Sequence, residues 1–270
     1  MTKGWFLYLS GATLLQVVAG HADVQQLAFP VGIALGAAAL AILFVLDREQ
    51  GEHRWIRVLR SSRMAGWLLA LLTVGCIVGG SLPAESRFPT SWPFIALLVA
   101  LLVHLTLLLL HRLHRFCWKR DGTFLLIHGG LWIALCSGML GAGDTEELHL
   151  LVGRHEPVST GVDEKGRLKP LGHELQLKEF RIESHPIDGS PAQYSATVLV
   201  DNEPARLAVN SPYAIRPGED LYLMSFDSRG EAAEAAFCVL QLVRQPWKYP
   251  LLTGIVLLMA GVARMMWKQP

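Results

Sequence analysis

Among the ten histidines of this chain, His104 and His128 stand inside long apolar runs, Trp92–Leu110 and Thr123–Leu140. An imidazole at such a position costs free energy unless it faces a protein interior and finds a partner, which makes each a functional candidate. His104 precedes His111 by seven positions and His128 follows Asp121 by seven. At the α-helical rise both would lie roughly 10 Å from the same end of their helices, and a short loop joins the two. Neutral imidazoles at one depth on neighbouring helices suit a metal or a haem iron. They equally suit rings that each bond a backbone carbonyl or a neighbouring helix. Spacing leaves both readings open.

The remaining chemistry-bearing residues are less ordered. His111 and His114 share a helical face at the inner end of the fourth apolar run, as interfacial residues would. His149, His155, His173 and His185 fall in the strand region without ligand spacing and read as surface or turn residues. Arg54, Arg57, Arg60 and Arg63 form a basic amphipathic stretch suited to lipid headgroups; an anionic ligand is the other reading. Cys76, Cys117, Cys136 and Cys238 contain no CxxC pair and read as small buried apolar side chains. No GxSxG, HExxH, Walker A or strand-to-helix GxGxxG pattern is present. No catalytic centre stands out.

The elements that must position His104 and His128 are set by composition. Of 270 residues, 51% are hydrophobic and 17% charged, and the apolar ones are concentrated in runs long enough to cross a bilayer. The runs are Trp5–Val18, Phe29–Leu46, Met64–Leu82, Trp92–Leu110, Thr123–Leu140 and Pro250–Met266. Unbroken apolar runs without alternation predict helices, so the chain reads as a polytopic α-helical membrane protein of about six spans. Arginine and lysine cluster in Arg48–Arg63, Arg112–Arg120 and Arg264–Lys268, whereas the short loops at His21–Leu27 and Pro83–Ser91 carry a single basic residue, Arg87. That asymmetry places both termini in the cytoplasm and Gly141–Lys248 outside. The outer segment holds 17 acidic and 11 basic residues, which disfavours nucleic acid as a partner. A cleaved signal peptide ending near Gly20–Ala22 is an alternative reading of the first run and would not change the other orientations.

Between Glu147 and Arg244 the pattern changes to short alternating segments. They are Leu148–Val152, Leu175–Ile182 with a bulge, Tyr194–Val200, Ala205–Val209, Leu221–Phe226 and Phe237–Val243. Turn signals separate them at Asp163–Gly166, Pro186–Gly189, Asp201–Pro204, Pro217–Gly218 and Ser228–Gly230. Six or seven strands in this length predict one antiparallel sandwich or barrel. The expected organisation is a membrane domain over 1–141, a β domain over 142–248, and a final span over 249–270.

Specific strings carry a resemblance. The fifth span reads Thr123-Phe124-Leu125-Leu126-Ile127-His128-Gly129-Gly130-Leu131-Trp132. The β region contains Leu168-Lys169-Pro170-Leu171-Gly172-His173 and Phe180-Arg181-Ile182-Glu183, then Val209-Asn210-Ser211-Pro212. Gly218-Glu219-Asp220-Leu221-Tyr222 and Leu242-Val243-Arg244-Gln245-Pro246-Trp247 follow. Phe29-Pro30-Val31 and Ser91-Trp92-Pro93-Phe94 match more loosely. In that order these residues resemble the ResB-type (CcsB-type) proteins of system II cytochrome c biogenesis, in the compact form found as the front half of fused CcsBA-like synthetases. The resemblance covers nearly the whole chain and is strongest from about residue 90 onward.

The resemblance implies a subunit of a haem-handling complex in the bacterial inner membrane, with residues 142–248 periplasmic. Such a complex moves haem outward and supports its attachment to CxxCH motifs of apocytochrome c. His128 occupies the family's histidine position in the fifth span and takes over a haem-ligand or relay role, with haem iron as its metal; the resemblance carries no role to His104, which is an alternative haem ligand by its place in the fourth span alone. The eight tryptophans are scattered, and the family's tryptophan-rich WWD segment is absent. That implies a CcsA-type (ResC-type) partner, and a chain that is a non-autonomous part of a haem lyase. Two rival readings stand beside it: a membrane electron-transfer protein with haem b held by His104 and His128, and a non-haem assembly scaffold.

Overall fold

The structure, a computed structural model, describes residues 2–83, 86–114, 116–184, 191–226 and 236–267. Arg115, His185, Lys268 and the turn signals at Pro186–Gly189 and Ser228–Gly230 lie outside the described residues. The apolar runs are helical: α1 (Thr2–Ala19), α2 (Val31–Gln50), α4 (Ser62–Ser81), α5 (Trp92–Leu113), α6 (Trp118–Gly141) and α7 (Lys248–Trp267), with the short α3 (Arg54–Leu59) between α2 and α4. Among the described residues, α2, α4, α5, α6 and α7 are long and apolar enough to cross a membrane, and the apolar part of α1, Leu7–Ala19, is shorter. Leu35, Ile42, Leu69, Ile77, Val256 and Met259 are exposed on these helices. An outward apolar surface of that extent is the mark of a lipid-facing protein.

Several helices run past their apolar cores. α2 continues through Asp47-Arg48-Glu49-Gln50. α6 starts at Trp118, so Lys119, Arg120 and Asp121 form its first turn instead of the loop before it. Asp121 makes this possible by accepting a hydrogen bond from the backbone N–H of Cys117, one of the donors a helix start leaves unpaired. The basic stretch is likewise two elements. α3 ends at Leu59, and Ser61 caps α4 by accepting from the N–H of Met64.

α5 is the hub of this bundle and packs against α1, α2, α3, α4 and α6. Leu101 and Leu105 of α5 form a core with Met64 and Leu68 of α4, onto which Leu131, Trp132 and Leu135 of α6 pack. α6 meets α7 through glycine. A Cβ on Gly130 would stand 2.5 Å from the backbone nitrogen of Leu258, and one on Gly254 would stand 2.6 Å from that of Ala134. The two backbones therefore touch, as small residues permit between membrane helices.

The chain forms two compact units, Met1–Gly143 with Tyr249–Pro270, and Asp144–Lys248. The second is one eight-stranded antiparallel sheet: β1 (Glu146–Gly153), β2 (Val158–Asp163), β3 (Leu168–Ser184), β4 (Pro191–Val200), β5 (Glu203–Ala208), β6 (Tyr213–Arg216), β7 (Glu219–Phe226) and β8 (Phe237–Arg244). The strand order is β5-β4-β3-β2-β1-β8-β7-β6. Its outer strands, β5 and β6, are consecutive in the chain, joined by a turn that an Ala208–Ser211 bridge closes, and β5 touches both β6 and β7. The sheet thus rolls up like a barrel.

One face of every long strand feeds a single core. Leu148, Leu150 and Val152 are buried on β1 while His149 and Leu151 between them are exposed. On β3 the alternation slips by one residue at the bulge between Leu177 and Glu179, so that Leu175, Leu177 and Phe180 all point inward. β3 also starts earlier than its apolar pattern, at Leu168, and bends at Gly172, whose φ is +75°. The β4–β5 hairpin turns on Asp201 and Asn202, both at positive φ, the geometry that two-residue hairpin loops require. β2 and β6 are additional to the alternating segments of the sequence. Of the cysteines, Cys238 is buried in this core, while Cys76 and Cys117 are exposed against the expectation of buried side chains. Burial pushes the Cys238 thiol up to about 12.

Candidate functional site

His104 and His128 lie on the packed pair α5 and α6, which Trp132 ties together by donating its Nε1–H to Oγ1 of the buried Thr106 at 2.8 Å. Each ring has its Nδ1 on a backbone carbonyl. For His104 the partner is Leu59 of α3 at 2.5 Å, and the residue is 3% exposed. For His128 it is Phe124, one turn earlier in the same helix, at 3.0 Å, and the ring is half-buried. An Nδ1–H that donates to a carbonyl fixes the tautomer and leaves Nε2 as the nitrogen with the lone pair. His104 is thereby a brace between α3 and α5. His128, anchored only to its own helix and less enclosed, is the ring whose Nε2 fits an incoming ligand.

The surroundings of His128 form a column. Its ring stacks on Phe124, with centroids 4.0 Å apart and planes 20° from parallel. The guanidinium of Arg112 lies over the other ring, 5.0 Å from the Phe124 centroid, a cation–π distance. Arg112 in turn donates to Oδ1 of the fully buried Asp121 at 2.9 Å, and Arg120 donates to both oxygens of that carboxylate, to Oδ2 at 2.9 Å and to Oδ1 at 3.0 Å. Spacing did not single out Arg112, Phe124 or Asp121. The available signal was Asp121 itself, a lone acid in an otherwise basic segment.

At the same end of the bundle a second buried acid, Asp47 near the end of α2, lies 3.4 Å from Nη1 of Arg60 and 3.7 Å from Nδ1 of His114. Arg60 also reaches Nδ1 of His111 at 3.0 Å. Arg60 is therefore turned inward, not toward lipid headgroups. These side chains line a polar cleft of about 1430 Å³ together with Arg48, Glu49, Glu52, Arg112 and Arg120. No cluster of three metal-ligating side chains occurs among the described residues.

In the β unit the surface reading of His173 changes. Its Nδ1 is 2.6 Å from Asp201 and its buried Nε2 is 3.8 Å from Glu219, so the ring links β3 to the β4–β5 turn and approaches β7. Glu219 is buried and held by Arg216 and Arg244, and Arg244 continues to Glu146 at 2.8 Å. Burial alone would raise the Glu146 carboxyl, but hydrogen bonds from Lys169 and Arg244 outweigh it and hold the group below the usual range. Backbone hydrogen bonding from Glu174, then His173, holds Asp201 low. These residues tie β1, β3, β7 and β8 and the β4–β5 turn together by side-chain contacts.

Residues 114–241 match the ResB-like family. The ResB-like segment includes all of α6, with Asp121, Phe124 and His128, and the β unit up to Gln241. Among solved structures, the chain is similar to one described as "Cytochrome c Heme Lyase CcmF". The identity is 17% and the TM-score 0.43, over 97% of this chain and 44% of that one. The chain thus spans less than half the length of that structure. None of the curated proteins matches it.

Proposed function

We propose that this chain works in cytochrome c biogenesis as a haem-handling membrane subunit of the system II type. The observation that carries the reading is the ResB-like match across the helix that holds His128 and the β unit that follows it. In this reading haem is the substrate. It enters from the cytoplasmic side, where the basic ends of α2, α5 and α6 would lie, and leaves toward a β unit on the periplasmic side. His128 takes the iron on Nε2, because the Phe124 carbonyl fixes Nδ1 as the protonated nitrogen. His104, enclosed and bound to Leu59, is the weaker ligand. A CcsA-type partner supplies the second axial ligand and the periplasmic haem-binding surface, and apocytochrome c is the acceptor.

The test is His128→Ala in the chain co-expressed with its partner. Loss of haem per purified complex and of holocytochrome yield, at unchanged protein level, is expected. Added imidazole, able to occupy the cavity left behind, should restore part of both. Unchanged haem loading and yield would overturn the assignment. The bis-histidine electron-transfer alternative predicts that His104→Ala removes haem as completely as His128→Ala. The scaffold alternative predicts no haem in any form of the protein.

A further inference from the structure

The polar cleft has one wall in common with the histidine column. Arg112 lines the cleft and also lies over Phe124, on whose ring His128 stacks. Its side chain is 45% exposed, and only one edge of the guanidinium is occupied by Asp121. A planar fork with five N–H donors can hold one carboxylate and still offer donors to another. Leu108, one turn further into α5, adds apolar lining to the cleft, and on α6 His128 lies two turns beyond Asp121, the partner of Arg112. Arg48 adds a second exposed cation at the rim. Charged donors at the mouth, an apolar contact at Leu108 and an imidazole two turns inside match an amphiphile with carboxylates at one edge and a metal at its centre.

We propose that this cleft docks the carboxylate edge of the tetrapyrrole, with Arg112 as the residue that pairs with a propionate while its other face keeps Phe124 stacked on His128. The proposal rests on the haem reading and adds a recognition element to it. Arg112 is then a specificity residue: it selects haem that carries free carboxylates and couples their arrival to the placement of the imidazole. Arg60 and Asp47, paired with each other in the cleft lining, set its shape; Arg60 is engaged through Nη1 by both Asp47 and His111, and its side chain is 11% exposed against 45% for Arg112.

The experiment compares haem with its dimethyl ester, in which the propionates carry no charge, by Soret titration of the chain co-purified with its CcsA-type partner in nanodiscs. Wild type should bind haem at least about tenfold more tightly than the ester, the worth of one charge-assisted hydrogen bond. Arg112→Gln should lose that preference by weakening haem far more than the ester, which feels only the loosened Phe124–His128 stack, and Arg112→Lys should keep part of it. Equal affinity of wild type for haem and ester overturns the proposal and needs no variant to show it. An Arg112→Gln protein that weakens both ligands equally also overturns it, since that outcome assigns Arg112 to packing alone. Binding of neither porphyrin by wild type overturns the haem reading itself, and this proposal with it.

Discussion

Phe124 holds His128 twice, through its carbonyl 3.0 Å from Nδ1 and through its ring stacked at 4.0 Å. The carbonyl sets the tautomer and the ring sets the angle of the imidazole. Phe124→Leu removes only the second, because the backbone is kept. Stacking of this kind is worth about 0.5–1.5 kcal/mol, so haem loading should fall roughly two- to tenfold at constant protein level. A pigment assay on equal amounts of purified protein measures it; unchanged loading would show that the stack does not position the ring.

Contact between α6 and α7 makes a prediction in which neighbouring glycines behave in opposite ways. Gly130→Ala drives a methyl group into the backbone of Leu258, whereas Gly129→Ala meets nothing within 4 Å. The first should cost about 1–3 kcal/mol through forced helix separation. The second should be neutral or gain up to about 1 kcal/mol from helix propensity. Thermal unfolding of the detergent-solubilised chain, read by tryptophan fluorescence, compares the two. Equal stability of both variants would remove the close contact.

Acid should loosen the β unit. Glu146, Asp163 and Asp201 are all held below their ordinary values. For Asp163 the cause is first the backbone N–H of Arg167, then its side chain. A carboxylate depressed in the folded state contributes stability that is present above its unfolded value, about 3.9 for Asp and 4.3 for Glu. That stability is lost as pH falls through the lower folded value. Melting temperature should therefore hold steady near neutrality and drop below about pH 4. Glu146→Gln should be less stable near neutrality and show a shallower acid drop. An identical acid profile in that variant would remove Glu146 from the cause.

Orientation follows from the arginine and lysine asymmetry of the proposed topology. An alkaline phosphatase fusion at Gly189 should be active and one after Asp121 inactive, with a cytoplasmic reporter giving the reverse. A Gly189 fusion that is expressed but inactive would turn the β unit inward and end the periplasmic reading.

Much of this architecture was legible because lipid leaves helices few alternatives. The slip of phase in Leu175, Leu177 and Phe180 announced the bulge in β3 for a similar reason: only one face of the strand can be buried. β2 was illegible. Its buried position is Gly161, where a Cβ would stand 2.7 Å from the Leu150 side chain, so the strand has no large apolar residue at the point that faces the core. At the site, His104 and His128 were visible as imidazoles at membrane depth. Arg112, Asp121, Arg60 and Asp47 were not, since their pairings cross 9 and 13 residues of chain and depend on how helix ends meet. Periodicity carries no record of that.

The meeting of β5 and β6 bears on how the β unit can be approached. An open sheet offers its last strand as a template, and an extended peptide can add itself there by main-chain hydrogen bonds. Here the outer strands turn toward one another, β6 is only four residues long, and Pro204 of β5 has no N–H to offer. A polypeptide handled by this unit would therefore be recognised by side chains on its walls and rims, and released without unzipping a strand.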